Sequence, residues 1–277
     1  MTRSGWNPGR RNRNIGTAAR GHGQDNQLVI PQRWSDERVF WEKLNDPVAV
    51  HAGDLVVLVE PVLAGYTHAC TPDDVLAVLR QVPEELGDLR TFALRQPTRK
   101  QAVLRPVWGR LAYYAEIGPH RGPVVFLEAQ EVGRDVRQST SMLVEDQREF
   151  DRLIADGHRP MKDTRSFRWE LTLEATRATQ LYRTLLHEIG HQMDYVRSVE
   201  VPRRQLGRDP DDAEWDAIMD RYWAKSSREK EAYAHRFADE LGERLRQSGA
   251  FPSQRLADPG RLRSQGLNPS WFGVRPA

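Results

Sequence analysis

Residues 181–196 read Leu-Tyr-Arg-Thr-Leu-Leu-His-Glu-Ile-Gly-His-Gln-Met-Asp-Tyr-Val. Leu181, Leu185, Ile189 and Met193 recur every four residues, the stripe of a helix with one face in a core. The pattern predicts a helix from Ala175 to about Val196. Inside it His187 and His191 stand four apart, on nearly the same face, so both imidazoles reach one point. Neutral imidazole nitrogens suit Zn2+, which needs a third protein ligand and one open position to be reactive. Glu188 follows the first histidine and can take a proton from water at such a centre. Gly190 costs helix stability, and its bare backbone lets another element come close.

Downstream, Ser226 and Glu229 form a capping box that opens a helix running to Arg246. Tyr233, Phe237, Leu241 and Leu245 are its apolar stripe. Glu231, Ala234, His235 and Ala238 share another face. The two alanines are small, so this face can press on the first helix and bring Glu231 in as the third ligand. Glu229, His235, Glu240 and Asp194 are rivals. Glu229 has the capping box to serve, and Asp194 suits a supporting carboxylate. His235 can aim at the site as a donor to developing charge or stand in solvent. Tyr233 and Tyr195 are candidates for the same donor role or for plain packing.

The histidine pair followed by a glutamate on a second helix resembles the gluzincin metallopeptidases. The run Glu231-x-x-Ala234-x-x-Phe237-Ala238 is similar to the ligand helix of compact gluzincins, including the ImmA/IrrE type. The resemblance spans roughly residues 70–245, with about fifteen diagnostic positions. It implies that His187, His191 and Glu231 bind one zinc ion per chain and that Glu188 is the general base. It implies an α+β fold: a zincin-like core with a mixed, largely antiparallel sheet packed on the metal-binding helix and a second ligand helix. A sheet edge in zincins pairs with extended substrate backbone, and residues 110–117 or 167–173 are the candidates. The 39 residues between His191 and Glu231 are many for a compact member and imply an insertion at 198–225. The sequence offers no persuasive helix-turn-helix.

The remaining elements follow from local signals. Thr71, Pro72, Asp73 and Asp74 start a helix: a cap, a proline at its first turn, and two acids at its positive end. Residues 54–62, 91–94, 102–108, 110–117, 123–128 and 167–173 predict strands. Trp34, Val39, Phe40, Trp41 and Leu44 predict a short helix. Residues 133–163 read as a long polar loop with a short helix, and 198–212 as a polar connection broken at Pro202 and Pro210. Asp211 to Trp223 is a further helix. Residues 1–27, with five Arg and one acid, read as a flexible basic tail. Residues 28–249 form one metallopeptidase-like domain, and 250–277 a loose tail from which Trp271 and Phe272 could dock.

The composition sets outer limits. In 277 residues, 39% are apolar and 29% charged, which suits a folded globular protein with a proper core. The net charge of +2 argues against a dedicated nucleic-acid binder, although 36 of the 41 basic residues are Arg. A single cysteine, Cys70, excludes an internal disulfide framework and a cysteine-based zinc finger. No apolar run resembles a signal or a membrane span, so the cytoplasm is the default location. The expected activity is zinc-dependent hydrolysis of a peptide or protein. The alternatives are a non-catalytic regulatory scaffold and a nucleic-acid-associated factor using the Arg-rich tail.

Overall fold

The computed structural model describes residues 40–41, 44–82, 87–98, 102, 107–208 and 211–274. All belong to one compact unit, Phe40–Ala277. The expected basic tail at 1–27, and with it the nucleic-acid reading, lies outside the described residues, as does the start of order near Leu28.

The main sheet holds six strands: β1 (Phe40–Trp41), β2 (Val48–Ala52), β3 (Leu55–Val59), β4 (Thr91–Arg95), β5 (Gly109–Ile117) and β6 (His120–Glu128). Their order is β1-β5-β6-β4-β3-β2. The pairs β1–β5, β6–β4 and β4–β3 are parallel, while β5–β6 and β3–β2 are antiparallel. The fold is therefore α+β with a mixed sheet, and its centre is parallel rather than largely antiparallel. Parallelism follows from helix α1 (Pro72–Leu79), which carries the chain from β3 back to β4 and forces a crossover. Thr71 and Asp74 close a capping box at its start, with Pro72 in the first turn.

Strand β3 shows the pleat at work. Val57 and Val59 face a large core with Val75 and Leu79 of α1, while Val56 and Leu58 face the opposite side with Val124 and Phe126. Residues 40–41 are a strand rather than part of a helix. Ala102 is helical and β5 begins only at Gly109, so the predicted strand at 102–108 is not formed at either described end.

Residues 133–163 are more ordered than a loop. Strands β7 (Asp135–Ser139), β8 (Met161–Lys162) and β9 (Ser166–Glu170) form a second, antiparallel sheet in the order β7-β9-β8. Helix α2 (Val144–Ala155) packs on it through Phe150, whose ring lies 4.6 Å from Phe167 and 5.9 Å from Trp169. Strand β9 is central here, so it is not a free edge.

One unbroken helical path then runs from residue 173 to 205: α3 (Leu173–Thr179), a π-wide stretch (Gln180–Thr184), α4 (Leu185–Tyr195), a second π-wide stretch (Val196–Glu200) and α5 (Val201–Gln205). The N–H groups of Leu185 and Val201 reach back five residues, to Gln180 and Val196. The helix thus continues past Val196 and through Pro202, which does not break it. The wider turn lies just ahead of the proline, whose missing N–H interrupts the ladder there. Helices α6 (Asp212–Trp223) and α7 (Ser227–Gln247) follow, each with a complete capping box.

The expected loose tail at 250–277 is folded over its described length. Arg177 binds Asp74 at 2.8 Å and the Ser253 carbonyl at 3.0 Å, and Asp74 also accepts the Leu256 N–H at 2.9 Å. Helix α8 (Pro259–Ser264) and a short 3-10 turn (Pro269–Phe272) set Leu262, Leu267 and Phe272 in the main core. Among the described residues no helix is long and apolar enough to cross a membrane.

Candidate metal centre

Helix α4 presents its apolar stripe inward: Leu185, Leu186 and Ile189 are fully buried and Met193 nearly so. This fixes the roll of the helix and leaves His187 and His191 half-buried on the flank that meets α7. The helices cross at Gly190. A Cβ there would lie 2.9 Å from both the Cα and the carbonyl oxygen of Ala234. Ala234 is fully buried and Ala238 nearly so, as two small residues pressed on α4 should be.

This contact brings Glu231 to the histidines. Its carboxylate oxygens lie 3.2 Å from His187 Nε2 and 3.5 Å from His191 Nε2, and the two Nε2 atoms are 3.1 Å apart. Among the described residues this is the set of three ligand-type side chains whose donor atoms all lie within 4.8 Å of one another. The donor set fits a divalent cation. A tetrahedral ion with bonds of about 2.0–2.1 Å holds its ligand atoms about 3.3 Å apart, which the measured separations straddle. Two imidazoles with facing Nε2 atoms and a carboxylate offer converging lone pairs, the chemistry of a borderline metal.

The charge states show how closely the three groups are coupled. Hydrogen bonding to His187 and His191 holds the Glu231 carboxyl far below its usual range. Burial opposes protonation of His191, yet the Glu231 carboxylate beside it outweighs that and raises the imidazole's pKa. His187 Nδ1 is buried with no partner among the described residues, so its ring orientation rests on packing. The His235 ring contributes, 4.4 Å away centre to centre.

Glu188 points to the sheet side of α4. Its Oε2 accepts the Leu111 N–H of β5 at 2.8 Å, and burial pushes its carboxyl above the usual value. Of the two candidate edges, residues 110–117 are thus the ones beside the centre. Among the described residues, strand β1 pairs with β5 only at Ala115 and Glu116.

The rivals to Glu231 are placed elsewhere. Glu229 closes the capping box with Ser226. Asp194 is bound by Lys225 Nζ at 2.7 Å. Glu240 lines a separate groove together with Tyr233. The Tyr233 ring lies under the guanidiniums of Arg197 and Arg236, so the expected donor role at the metal centre has no geometric support. Tyr195 is buried and its hydroxyl bonds to that of Tyr114. His235 does sit at the centre. Arg152 of α2 donates to its Nε2 at 3.3 Å, and burial, His187 and Arg152 together lower its pKa to about 4.

Sequence reasoning missed four contributors. Leu111 acts through its backbone, which no side-chain pattern reveals. Arg152 lay in a stretch read as loop. Tyr113 and Tyr114 stand opposite the single residue Pro123, between the pairs Ala112–Val124 and Ala115–Gly122. That two-against-one bulge turns Tyr114 to Tyr195 and lets Tyr113 reach Tyr222 of α6 at 2.8 Å. The segment 198–225 is therefore tied, through Tyr222, to the strand that serves Glu188. A bulge opposite proline was the available signal, because proline cannot donate to the ladder. Compared with protein-family models, curated proteins and solved structures, the chain matches none.

Proposed function

We propose that this chain is a zinc-dependent peptidase built on a zincin-like core, with His187, His191 and Glu231 as the ligands and Glu188 as the general base. The observation that carries the reading is the spacing of the three donor groups, 3.1, 3.2 and 3.5 Å, beside a buried carboxylate on the same helix. A divalent cation held there would polarise a peptide carbonyl and make water more acidic.

The side chains supply the rest. Glu188 takes the proton of the attacking water and delivers it to the leaving amine. The Leu111 N–H fixes one of its oxygens, and burial makes it a stronger base than an exposed glutamate. His235, neutral near pH 7, offers a hydrogen bond and no charge. The half-buried stretch Arg110–Ala112 of β5 beside Glu188 gives extended substrate backbone a strand to align with.

Metal content of untagged protein, measured by mass spectrometry, tests the reading. The expected result is about one zinc per chain, lost or sharply weakened in Glu231→Ala, with hydrolysis of unstructured polypeptide by the wild type. Wild-type protein that takes up no metal when zinc is supplied overturns it.

A further inference from the structure

A second cleft runs along the other exposed stripe of α7, where it meets the end of α4. It encloses about 380 Å3 and contains none of His187, His191 or Glu231. Met193, Tyr233 and Phe237 give it an apolar floor, and Arg197, Arg236 and Arg244 surround it. Arg197 and Arg236 come from different helices, yet both guanidiniums lie about over one ring, 5.8 and 6.0 Å from the centre of Tyr233. None of the three arginines forms an ion pair among the described residues, and Glu240 is the one carboxylate in the lining. The Tyr233 hydroxyl is shut off from solvent without a hydrogen-bond partner. Three cations against one anion over an aromatic floor are complementary to one kind of ligand.

We propose that this groove binds an organic anion: a phosphate or carboxylate group carried on an aromatic or aliphatic body. Guanidinium forks engage the anionic oxygens in pairs, which a lysine cannot reproduce. The body of the ligand covers Phe237 and Met193 and removes apolar surface from water. Phe237 also flanks the helix crossing, since a Cβ on Gly190 would lie 3.2 Å from its ring. An occupant would thus touch the helix that carries both histidines at Met193 and rest one side chain from its crossing with α7.

The test is calorimetric titration of the full chain with phenyl phosphate, with inorganic phosphate and phenol in parallel. The proposal expects phenyl phosphate to bind at least tenfold more tightly than either. Arg197→Gln and Arg236→Gln each weaken it by about tenfold, the loss of one charge-assisted pair. Arg236→Lys keeps the charge and still weakens it. Glu231→Ala leaves it unchanged, which separates this groove from phosphate binding at a metal. A phosphotyrosyl pentapeptide distinguishes sources: tighter binding than phenyl phosphate assigns the anion to a polypeptide, equal or weaker binding to a small metabolite. Equal affinity for inorganic and phenyl phosphate, or full binding by both glutamine variants with unchanged melting curves, overturns the proposal. Loss of binding in Glu231→Ala alone overturns it too. None of these outcomes depends on peptidase activity.

Discussion

Glu188 has the most determined surroundings of any side chain at the centre. One oxygen is occupied by the Leu111 N–H at 2.8 Å, so the other is the one free to exchange protons. Glu188→Gln keeps the shape and the accepted hydrogen bond but cannot act as a base. The expected outcome is unchanged zinc content with hydrolysis lowered about 10^2- to 10^4-fold, the usual weight of a positioned base. Parallel metal analysis and initial rates on a fluorogenic polypeptide check it; a variant of full activity overturns the assignment of the base. At this scale the sequence was highly legible. His187, Glu188 and His191 are adjacent in one helix, and Glu231 was singled out because its neighbours Ala234 and Ala238 are small. Local spacing carries such information. It carries none about the Leu111 amide, which acts through the backbone, or about Arg152, which comes from a helix 83 residues before His235.

The decisive object among the elements is the α4–α7 crossing. Gly190→Ala improves helix propensity by about 1 kcal/mol, but its methyl would meet backbone at 2.9 Å, where nothing flexible can yield. Overpacking of this kind costs about 1–3 kcal/mol, so the expected net effect is a loss. Separation of the helices should also weaken zinc affinity, because Glu231 rides on the far partner. Gly242 in α7 is the control. A Cβ there meets its nearest atoms at 3.6–3.7 Å, ordinary contact, and the residue is helical. Gly242→Ala is expected to raise stability by about 0.5–1 kcal/mol. Urea unfolding of both variants decides the pair; a Gly190→Ala protein as stable as Gly242→Ala would remove the close approach as an explanation. Helix starts such as Thr71-Pro72 and Ser226 with Glu229 could be read directly, since caps are local. The run past Pro202 could not, because a shift to wider turns leaves no mark in hydrophobic period.

Across the whole molecule, the C-terminal segment closes over the start of the chain's central helix and the loop before α1. His68 is enclosed there. Its Nε2 lies 2.7 Å from the Glu60 carbonyl oxygen, its backbone N–H donates to Trp271, and Phe272 stands 5.7 Å from its ring. Burial lowers its pKa from 6.5 to about 4. The folded protein therefore holds this imidazole neutral in a range where the unfolded chain protonates it. Stability from this source is full above about pH 6.5 and drains away as the pH falls toward 4. Between pH 7.5 and 5 the loss from His68 amounts to roughly 2 kcal/mol. His68→Gln is expected to show a shallower acid dependence by about that amount in urea unfolding at the two pH values. Equal slopes would place the proton sensitivity elsewhere. The same region holds the buried Arg177–Asp74 pair, where removal of one partner strands a charge. Arg177→Ala is expected to cost about 3–5 kcal/mol, read as a lower urea midpoint. Beforehand only Trp271 and Phe272 could be singled out, as residues able to dock; Phe272 is in the core and Trp271 packs against it. The segment 250–274 has no hydrophobic period, and its anchors are single residues clasped by side chains some 70 to 180 positions earlier.

The hydrogen bond from Leu111 to Glu188 gives the protein a built-in spectroscopic reporter. An amide proton aimed at a buried carboxylate resonates downfield and exchanges slowly with solvent. In isotopically labelled protein that one resonance would mark when the Glu188 carboxylate is engaged, when a ligand pulls it away, and when β5 leaves α4, without a substrate or an added label.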